Sequence, residues 1–280
     1  MSLADMKIVA DSSADTFSFA GVPFACAPLK IRTDEKEYTD NEQLDVEGMV
    51  NDLLRYSGKS STSCPSVGDW LDAFDGVREI FCITITSNLS GSYNSACTAA
   101  REYEAQDPAH RVHVIDSLST GPEMRLILEK LRELMEKGLG FDEIKAEITA
   151  YQQRTGLLFA LESMRNLANN GRVSHLAAKA AGILGIRAIG KASDIGTLEM
   201  LSKERSTSKV VQATVAYMKE FGWVGGKVRI GHVCNEPIAL KLVDAIRAEH
   251  PAVDIEYYPS TALCSFYAEK GGFLLGFEKA

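Results

Sequence analysis

The sequence lacks a long apolar run. No stretch of its 280 residues approaches the roughly 20 apolar residues that a membrane-spanning helix needs. The most apolar segment, Ala177–Ile189, is interrupted by Lys179 and Arg187. The N-terminus shows no basic segment followed by an apolar one, so we expect no secretory signal. These absences argue against an integral membrane protein and against export.

Cysteine and histidine are both scarce, with six and five residues. The cysteines form no CxxC pair, and a chain of this length can bury a core without disulfides. We therefore expect reduced thiols and a cytoplasmic location. His110 and His113 are close in sequence, but no further ligand cluster accompanies them. We predict no metal site.

Basic charge and nucleotide-binding motifs are also lacking. Thirty Lys and Arg residues against 38 Asp and Glu give a net charge of −8. Such a surface repels phosphate backbones, so we expect no nucleic-acid partner. Gly58-Lys59-Ser60 resembles the end of a phosphate loop, but Leu53 stands where the loop needs its first glycine. No GxSxG elbow occurs. We predict no cofactor and assign no catalytic residue.

What the sequence does contain is typical of a globular protein of two domains. Apolar residues make up 45% and charged residues 24%. In the first half, short β-branched strands alternate with amphipathic helices, which predicts a mostly parallel, helix-covered sheet. The predicted strands there are Lys7–Ala10, Ile80–Ile85 and Val112–Ile115.

The pattern changes near residue 156, where several strands follow one another without a crossover helix. Antiparallel pairing is expected in this region. The predicted strands are Leu157–Leu161, Arg187–Ala192, Thr197–Leu201, Lys227–Val233 and Val253–Tyr258. We therefore predict an α/β domain over residues 1–157 and an α+β domain with a largely antiparallel sheet over residues 158–280.

Polar residues follow three of the predicted parallel strands. They are Asp11-Ser12-Ser13, Thr86-Ser87-Asn88 and Asp116-Ser117. The ends of parallel strands converge on one crevice, the usual position of a ligand in such sheets. The sequence predicts a crevice there that is lined by hydroxyl groups and two carboxylates, without Lys or Arg.

Four further segments each allow two interpretations. The serines of Asn88–Ser95 are either a seat for an anion at a helix start or simple helix caps. Ser60–Ser66 is either a second hydroxyl cluster of the site or a polar loop before a helix. Arg172, after an Asn170-Gly171 turn, points to solvent or to an anionic ligand. The small apolar residues of Ala177–Ile189 form a packed core helix or the wall of an apolar cavity.

Taken together, these segments resemble the DegV family of bacterial fatty-acid-binding proteins. Five short motifs occur in the family's order and spacing over essentially the whole chain. They are Asp11-Ser12-Ser13-Ala14-Asp15 (D-S-[ST]-x-D), Thr62-Ser63-Cys64-Pro65-Ser66 (T-S-Q-P-S, with Cys64 in place of Gln), Leu89-Ser90-Gly91-Ser92-Tyr93 (L-S-G-[ST]-Y), Val114-Ile115-Asp116-Ser117 (V-I-D-S) and Gly171-Arg172-Val173-Ser174 (G-R-[IV]-S).

The resemblance implies that one long-chain fatty acid binds between the two domains. It implies that Thr62 and Ser90 bind the carboxylate, with Ser63, Ser12 and Asn88 close to it. Family members deliver the fatty acid to a separate fatty-acid kinase, which forms the acyl phosphate for phospholipid synthesis. By the same resemblance, Arg172 lies near the carboxylate or phosphate and faces the partner.

The sequence departs from the family pattern near its C-terminus. Where the family has His-Thr-Gly-Pro-Gly, this chain reads Tyr267-Ala268-Glu269-Lys270-Gly271-Gly272, so the histidine is missing. This departure concerns partner engagement and phosphate handling, and it leaves fatty-acid binding as the expectation.

Three functions are compatible with these segments. The first is a non-enzymatic carrier that takes a fatty acid from a pool or by transient contact with a membrane surface. The second is an enzyme, a phosphotransferase or acyl hydrolase, in which Asp11, Asp15 or Asp116 would supply a base. The third is a module that binds a small polar anion. The apolar segment Ala177–Ile189 argues against this third function. The carrier is the function that we favour.

Overall fold

The structure, a computed structural model, describes residues 5–174 and 185–280. The strands are β1 (Met6–Asp11), β2 (Phe24–Ala27), β3 (Lys30–Thr33), β4 (Glu37–Thr39), β5 (Ser60–Ser63), β6 (Glu79–Thr84), β7 (Arg111–Asp116), β8 (Thr155–Leu161), β9 (Arg187–Ala192), β10 (Leu198–Glu204), β11 (Val228–His232), β12 (Ile255–Pro259) and β13 (Phe273–Glu278). The α-helices are α1 (Val46–Arg55), α2 (Val67–Phe74), α3 (Ser92–Gln106), α4 (Pro122–Glu136), α5 (Phe141–Gln152), α6 (Arg165–Asn169), α7 (Thr207–Glu220), α8 (Glu236–Glu249) and α9 (Ala262–Ala268).

The N-terminal sheet is parallel and is covered by helices on both faces, as the sequence predicts. Its strand order is β2-β1-β6-β7. Successive strand side chains point to opposite faces. Ile8 therefore packs with residues of α4 and α5, whereas Val9 packs with Trp70 and Phe74 of α2. Both faces are buried, which explains why these strands read as continuous apolar runs.

The C-terminal sheet has six strands in the order β10-β9-β8-β13-β11-β12. All its neighbouring strands are antiparallel except β11 and β12, which are parallel and are joined by α8. One face packs on α7 and α8 through residues such as Leu158 and Ile230. The predicted antiparallel character of this half is confirmed.

A small antiparallel sheet, in the order β4-β3-β5, is inserted in the chain between β2 and β6 of the N-terminal sheet and was not expected from the sequence. Its strand β5 is the segment Ser60–Ser63, for which the sequence allowed either a second hydroxyl cluster of the site or a polar loop before a helix. Serine has little intrinsic preference for a strand, and the pairing of Ile31 with Thr62 in the β3–β5 ladder holds this segment extended.

Helix α4 joins the N-terminal sheet to the C-terminal sheet. At Gly276 of β13 a Cβ atom would lie 2.6 Å from the backbone of Pro122 and of Glu123, so the helix start contacts the strand backbone directly. Farther along, the buried guanidinium of Arg229 donates to both carboxylate oxygens of Glu129, each at 2.7 Å. This paired charge fixes the helix across the C-terminal sheet.

The helix boundaries follow local capping chemistry. Ser66 caps α2 in a reciprocal capping box with Asp69. Ser206 caps α7, because its hydroxyl accepts a hydrogen bond from the Lys209 amide. Most of the segment 177–189 lies outside the described residues. The division into domains at residues 157 and 158 stays a prediction.

Candidate ligand-binding site

A cavity of about 680 Å³, its open mouth included, lies between the N-terminal and C-terminal sheets. Most of the wall is aliphatic or aromatic. The apolar lining residues are Leu29, Ile85, Leu89, Leu157, Phe159, Leu161, Leu167, Leu198, Leu263, Ala268 and Leu274.

Strand β8 supplies one wall through the alternation of its side chains. Leu157, Phe159 and Leu161 point into the cavity, while Leu158 between them packs toward α7 and α8. Gly190 is the partner of Phe159 on the neighbouring strand. A Cβ atom at Gly190 would lie 2.3 Å from the Phe159 ring. The missing side chain therefore makes room for this ring.

Polar side chains in the cavity wall come from several separate segments. They are Thr62, Ser90, Thr120, Arg172 and Tyr267. Thr62 comes from β5 and Ser90 from the loop before α3. The structure thus brings together three of the residues that the sequence singled out, Thr62, Ser90 and Arg172.

Thr62 forms a hydrogen bond across the site. Its Oγ1 lies 2.7 Å from the hydroxyl oxygen of Tyr267 on α9, and either hydroxyl can donate. Burial raises the pKa of the Tyr267 phenol, although the Thr62 hydroxyl and the positive charge of Arg172 act in the opposite direction. The phenol therefore keeps its proton at neutral pH.

Arg172 is half-buried beside this pair. Its Nε donates to the Leu89 carbonyl at 3.1 Å, and its Nη1 donates to the Asn170 carbonyl. The guanidinium lies 5.9 Å from the centre of the Tyr267 ring. Within residues 5–174 and 185–280, no Asp or Glu forms an ion pair with Arg172. Its charge is therefore suited to an external anion.

Ser90 belongs to the turn that leads into α3. Its Oγ accepts a hydrogen bond from the Ser92 amide at 3.2 Å, and a hydroxyl also carries one proton to donate. The Ser92 hydroxyl in turn donates to Asp11 at 2.6 Å. Ser90 thus faces the cavity, while its neighbour Ser92 anchors the helix to β1.

The predicted crevice of hydroxyls and carboxylates differs from the cavity observed. The strand ends do converge, but their polar groups mostly bond to one another. Asp11 accepts from the Ile85 amide at 2.9 Å and Asp116 from the Ser87 amide at 3.1 Å. Burial raises the pKa of Asp11 despite its hydrogen bonds. These carboxylates hold loops in place, and neither of them lines the cavity.

Ser12, Ser63 and Asn88 lie around the cavity without lining it. The Ser12 hydroxyl is fully buried and accepts from the Leu29 amide at 3.0 Å. Ser63 alternates with Thr62 along β5 and therefore points to the other face. The exposed Asn88 amide group donates to the carbonyl of Ile195, in the turn between β9 and β10. Their proximity to a bound carboxylate stays a prediction.

Two buried carboxylates hold the start of α9, whose side chains line one side of the cavity. Asp40 accepts from the amides of Ala262 at 2.8 Å and Leu263 at 3.0 Å. Asp15 accepts from the amide of Thr261 at 2.9 Å. Burial raises the pKa of Asp40 to about 7 and that of Asp15 to about 6, because water no longer solvates their charges.

Sequence reasoning missed Tyr267, Thr120 and Cys264 as lining residues. Tyr267 lies in the segment where the family histidine is absent, and this departure is the signal that could have drawn attention to it. Thr120 and Cys264 carry no comparable signal. They line the site because the loop before α4 contacts helix α9. The sequence pattern does not predict this contact.

Among residues 5–174 and 185–280, no group of three His, Cys, Asp or Glu side chains is arranged to hold a metal ion. In the same ranges, every helix is too short or too polar to cross a membrane.

The fold and the site define a class: an α/β protein with an apolar ligand cavity between a parallel and a mostly antiparallel sheet. A family model described as "Uncharacterised protein, DegV family" matches residues 5–279. A DegV domain-containing protein of Streptococcus pneumoniae R6 is 42% identical over 276 residues, 97% of this chain and 98% of that protein. The chain belongs to the DegV family.

Two solved structures are similar over nearly the whole chain. A DegV family protein from Eubacterium eligens, loaded with heptadecanoic acid, has a TM-score of 0.97 at 45% identity, covering 98% of this chain and 100% of that one. The Streptococcus pneumoniae Fatty Acid Kinase (Fak) B3 protein, loaded with linoleic acid, has a TM-score of 0.96 at 42% identity, covering 98% and 99%.

Proposed function

We propose that this protein binds one long-chain fatty acid in the cavity between its two predicted domains and presents it to a separate fatty-acid kinase. The observation that carries the proposal is the cavity itself, apolar along most of its wall and supplied with a few hydroxyl groups and one arginine. The fatty acids held by the Eubacterium eligens and Streptococcus pneumoniae proteins support it.

The acyl chain supplies the affinity. A 16-carbon chain has about 14 methylenes, and burying them contributes roughly 11 kcal/mol before the costs of binding. The polar groups therefore need only fix the orientation of the head group. In this proposal, Thr62 and Ser90 donate hydrogen bonds to the carboxylate and keep it at the mouth.

Neutral hydroxyl groups suit a carboxylate that must later react. A direct ion pair would stabilise the anion before the reaction and reduce its nucleophilicity, whereas a hydroxyl donor perturbs it less. Arg172 lies beside Tyr267, and its guanidinium donates to a carbonyl oxygen. In this proposal it contacts the phosphate or the kinase. The protein itself then acts as a carrier, with catalysis on the partner and acyl phosphate as the product.

The alternative is an enzyme acting at the same cavity. Asp11 and Asp116 are engaged with backbone amides, which leaves them poorly placed to accept a substrate proton. Turnover of ATP and palmitate, or of an acyl ester, by the purified protein alone would contradict the carrier function.

The first test is mass spectrometry of the purified protein under native and denaturing conditions, with extraction of bound lipid. We expect one fatty acid per chain. The second is Thr62→Ala combined with Ser90→Ala, which we expect to weaken palmitate binding about 100-fold or more through two lost hydrogen bonds to a charged group. Ser61→Ala, on the exposed side of β5, is the matched control. Unchanged affinity in the double variant would contradict the assignment of the carboxylate site.

A further inference from the structure

Two buried aspartates, Asp15 and Asp40, share one hydroxyl group at the start of α9. The hydroxyl oxygen of Thr261 lies 3.0 Å from Oδ1 of Asp15 and 3.4 Å from Oδ2 of Asp40. Asp15 comes from the turn after β1, and Asp40 comes from the loop between β4 and α1. Both side chains are buried. The fold therefore places two carboxyl groups next to each other in the protein interior.

The shared hydroxyl cannot satisfy both carboxylates. It has one proton to donate, and the carbonyl oxygen of Ser12, at 3.1 Å, competes for it. Within residues 5–174 and 185–280, no Lys, Arg or His forms an ion pair with Asp15 or Asp40. Two buried carboxyl groups that share a site without a counter-charge retain a proton between them, because the second negative charge is unfavourable beside the first.

The pKa values agree with a retained proton. Burial raises the pKa of Asp15 to about 6 and that of Asp40 to about 7, and the charge of Asp15 contributes to the shift at Asp40. The two steps belong to the pair, since each charge affects the other. The pair therefore acquires its second negative charge near neutral pH.

The groups around the pair do not compensate this charge. The titratable side chains that face it are Cys264 on α9, Tyr258 on β12 and Cys26 on β2. Burial raises the pKa of all three, and the charges of Asp11, Asp15, Asp40 and Glu42 add to these shifts, so all three stay neutral. The guanidinium of Arg125 on α4 lies over the Tyr258 ring, 4.6 Å from its centre.

The pair holds α9 by its first backbone amides. Asp40 accepts from the amides of Ala262 and Leu263, and Asp15 accepts from the amide of Thr261. The Thr261 side chain forms no cap hydrogen bond with the helix. The residues of α9 that line the cavity are Leu263, Cys264, Tyr267 and Ala268. The contact of α9 with the two aspartates therefore sets the position of one cavity wall.

We propose that Asp15 and Asp40 form a proton-sharing pair that controls the affinity of the cavity: one shared proton keeps α9 in place, whereas two negative charges repel each other and loosen it. The inference rests on the proposed fatty-acid binding. Linkage requires the reverse effect as well, so a ligand that fixes α9 strengthens proton binding by the pair. Binding is then tighter below neutral pH and weaker above it, and the ligand brings about proton uptake.

The test uses hexadecanol, because its head group does not titrate, whereas that of palmitate does. Affinity is measured by displacement of a fluorescent fatty alcohol at about pH 6 and about pH 9. We expect the wild type to bind hexadecanol about 5- to 20-fold more weakly at the higher pH, within the range of typical coupling between two sites. In unbuffered solution near pH 7.5, a pH indicator should show uptake of a fraction of a proton per chain on binding.

The variants remove one charge at a time. Asp15→Asn keeps the acceptor for Thr261 and prevents a double charge, so we expect its affinity to change less than about twofold between the two pH values. Asp40→Asn is also expected to lose the pH dependence, with weaker binding at both pH values because an amide nitrogen replaces one of its two acceptors. Glu123→Gln, at a buried carboxylate that accepts from Thr155 of β8, is the matched control and should keep the wild-type pH dependence. Thermal midpoints at both pH values verify that each variant is folded.

Two results would overturn the proposal. One is a wild-type affinity for hexadecanol that is the same at both pH values. The other is a pH dependence that persists undiminished in Asp15→Asn and in Asp40→Asn, because another group would then be the one that titrates. A wild-type protein that binds neither hexadecanol nor palmitate at either pH would instead contradict the proposed function itself.

Discussion

Replacing Asp15 by Asn is expected to make the protein more stable at alkaline pH. Asp15 follows a short 3₁₀ turn, with φ of 56°, a conformation that Asn adopts readily. Its Oδ1 accepts from the amide of Thr261 at 2.9 Å and from the Thr261 hydroxyl at 3.0 Å. Its Oδ2 is buried and makes no hydrogen bond of normal geometry among the described residues, although the nearby Ser260 hydroxyl and Cys264 thiol act to lower the pKa of Asp15.

An asparagine keeps the bonds to Oδ1 and replaces the unpartnered oxygen with a neutral amide nitrogen that can donate. The size of the gain follows from the pKa of Asp15, which burial raises from 3.8 to about 6. Each pH unit between these values corresponds to about 1.4 kcal/mol. The folded state binds the proton more tightly than the unfolded state, so the wild type loses stability as the pH rises through this window.

The stability advantage of Asp15→Asn is therefore expected to grow from about 1 kcal/mol at pH 4.5 to about 3 kcal/mol at pH 8. Asp40 adds to the effect in the same direction, because the charge of Asp15 raises the pKa of Asp40. Urea unfolding at both pH values measures the difference, with Asp72→Asn on the exposed surface as control. A difference between variant and wild type that does not change with pH would refute the reasoning.

Two further substitutions test buried contacts of the C-terminal sheet. Arg229→Met leaves the buried Glu129 carboxylate without its main partner and is expected to cost about 3 kcal/mol of unfolding free energy. Urea unfolding should show most of this loss recovered when Glu129→Leu is added, and no recovery would contradict the explanation. Gly190→Ala puts a Cβ atom 2.3 Å from the Phe159 ring, so we expect a loss of about 1–3 kcal/mol and weaker palmitate binding. Unfolding and displacement assays that match the wild type would show that the ring moves away without cost.

The strands that the sequence predicted are those with a strong local pattern. Ile8-Val9 of β1 and Leu157–Leu161 of β8 are apolar, and both strands lie in the interior of their sheets. Strand β5 reads Ser-Ser-Thr-Ser and could not be predicted, because its extended form comes from pairing with β3 rather than from its own residues. Strand β13 has an apolar run, Phe273-Leu274-Leu275, that fits a strand or a buried helix equally well.

The residues of the candidate site, like the strands, could be predicted from the sequence only in part. Thr62, Ser90 and Arg172 could be named from the sequence because they lie in short motifs that resemble those of the family. The contribution of Tyr267 depends on a distance between residues far apart in the chain, which no local pattern encodes. Likewise, the sequence of β8 does not tell which of its two faces lines the cavity. The packing of the neighbouring elements decides that Leu157 and Phe159 point inward.

The position of β13 has a consequence for how the protein is made. This strand lies in the middle of the C-terminal sheet, between β8 and β11, yet it is synthesised after all the other strands of that sheet. Until it emerges from the ribosome, β8 and β11 each present an unpaired edge, and such edges are prone to aggregation. The N-terminal sheet contains no late strand and can form first. The cavity is therefore completed only after β13 has been synthesised, when α9 and β13 close it together.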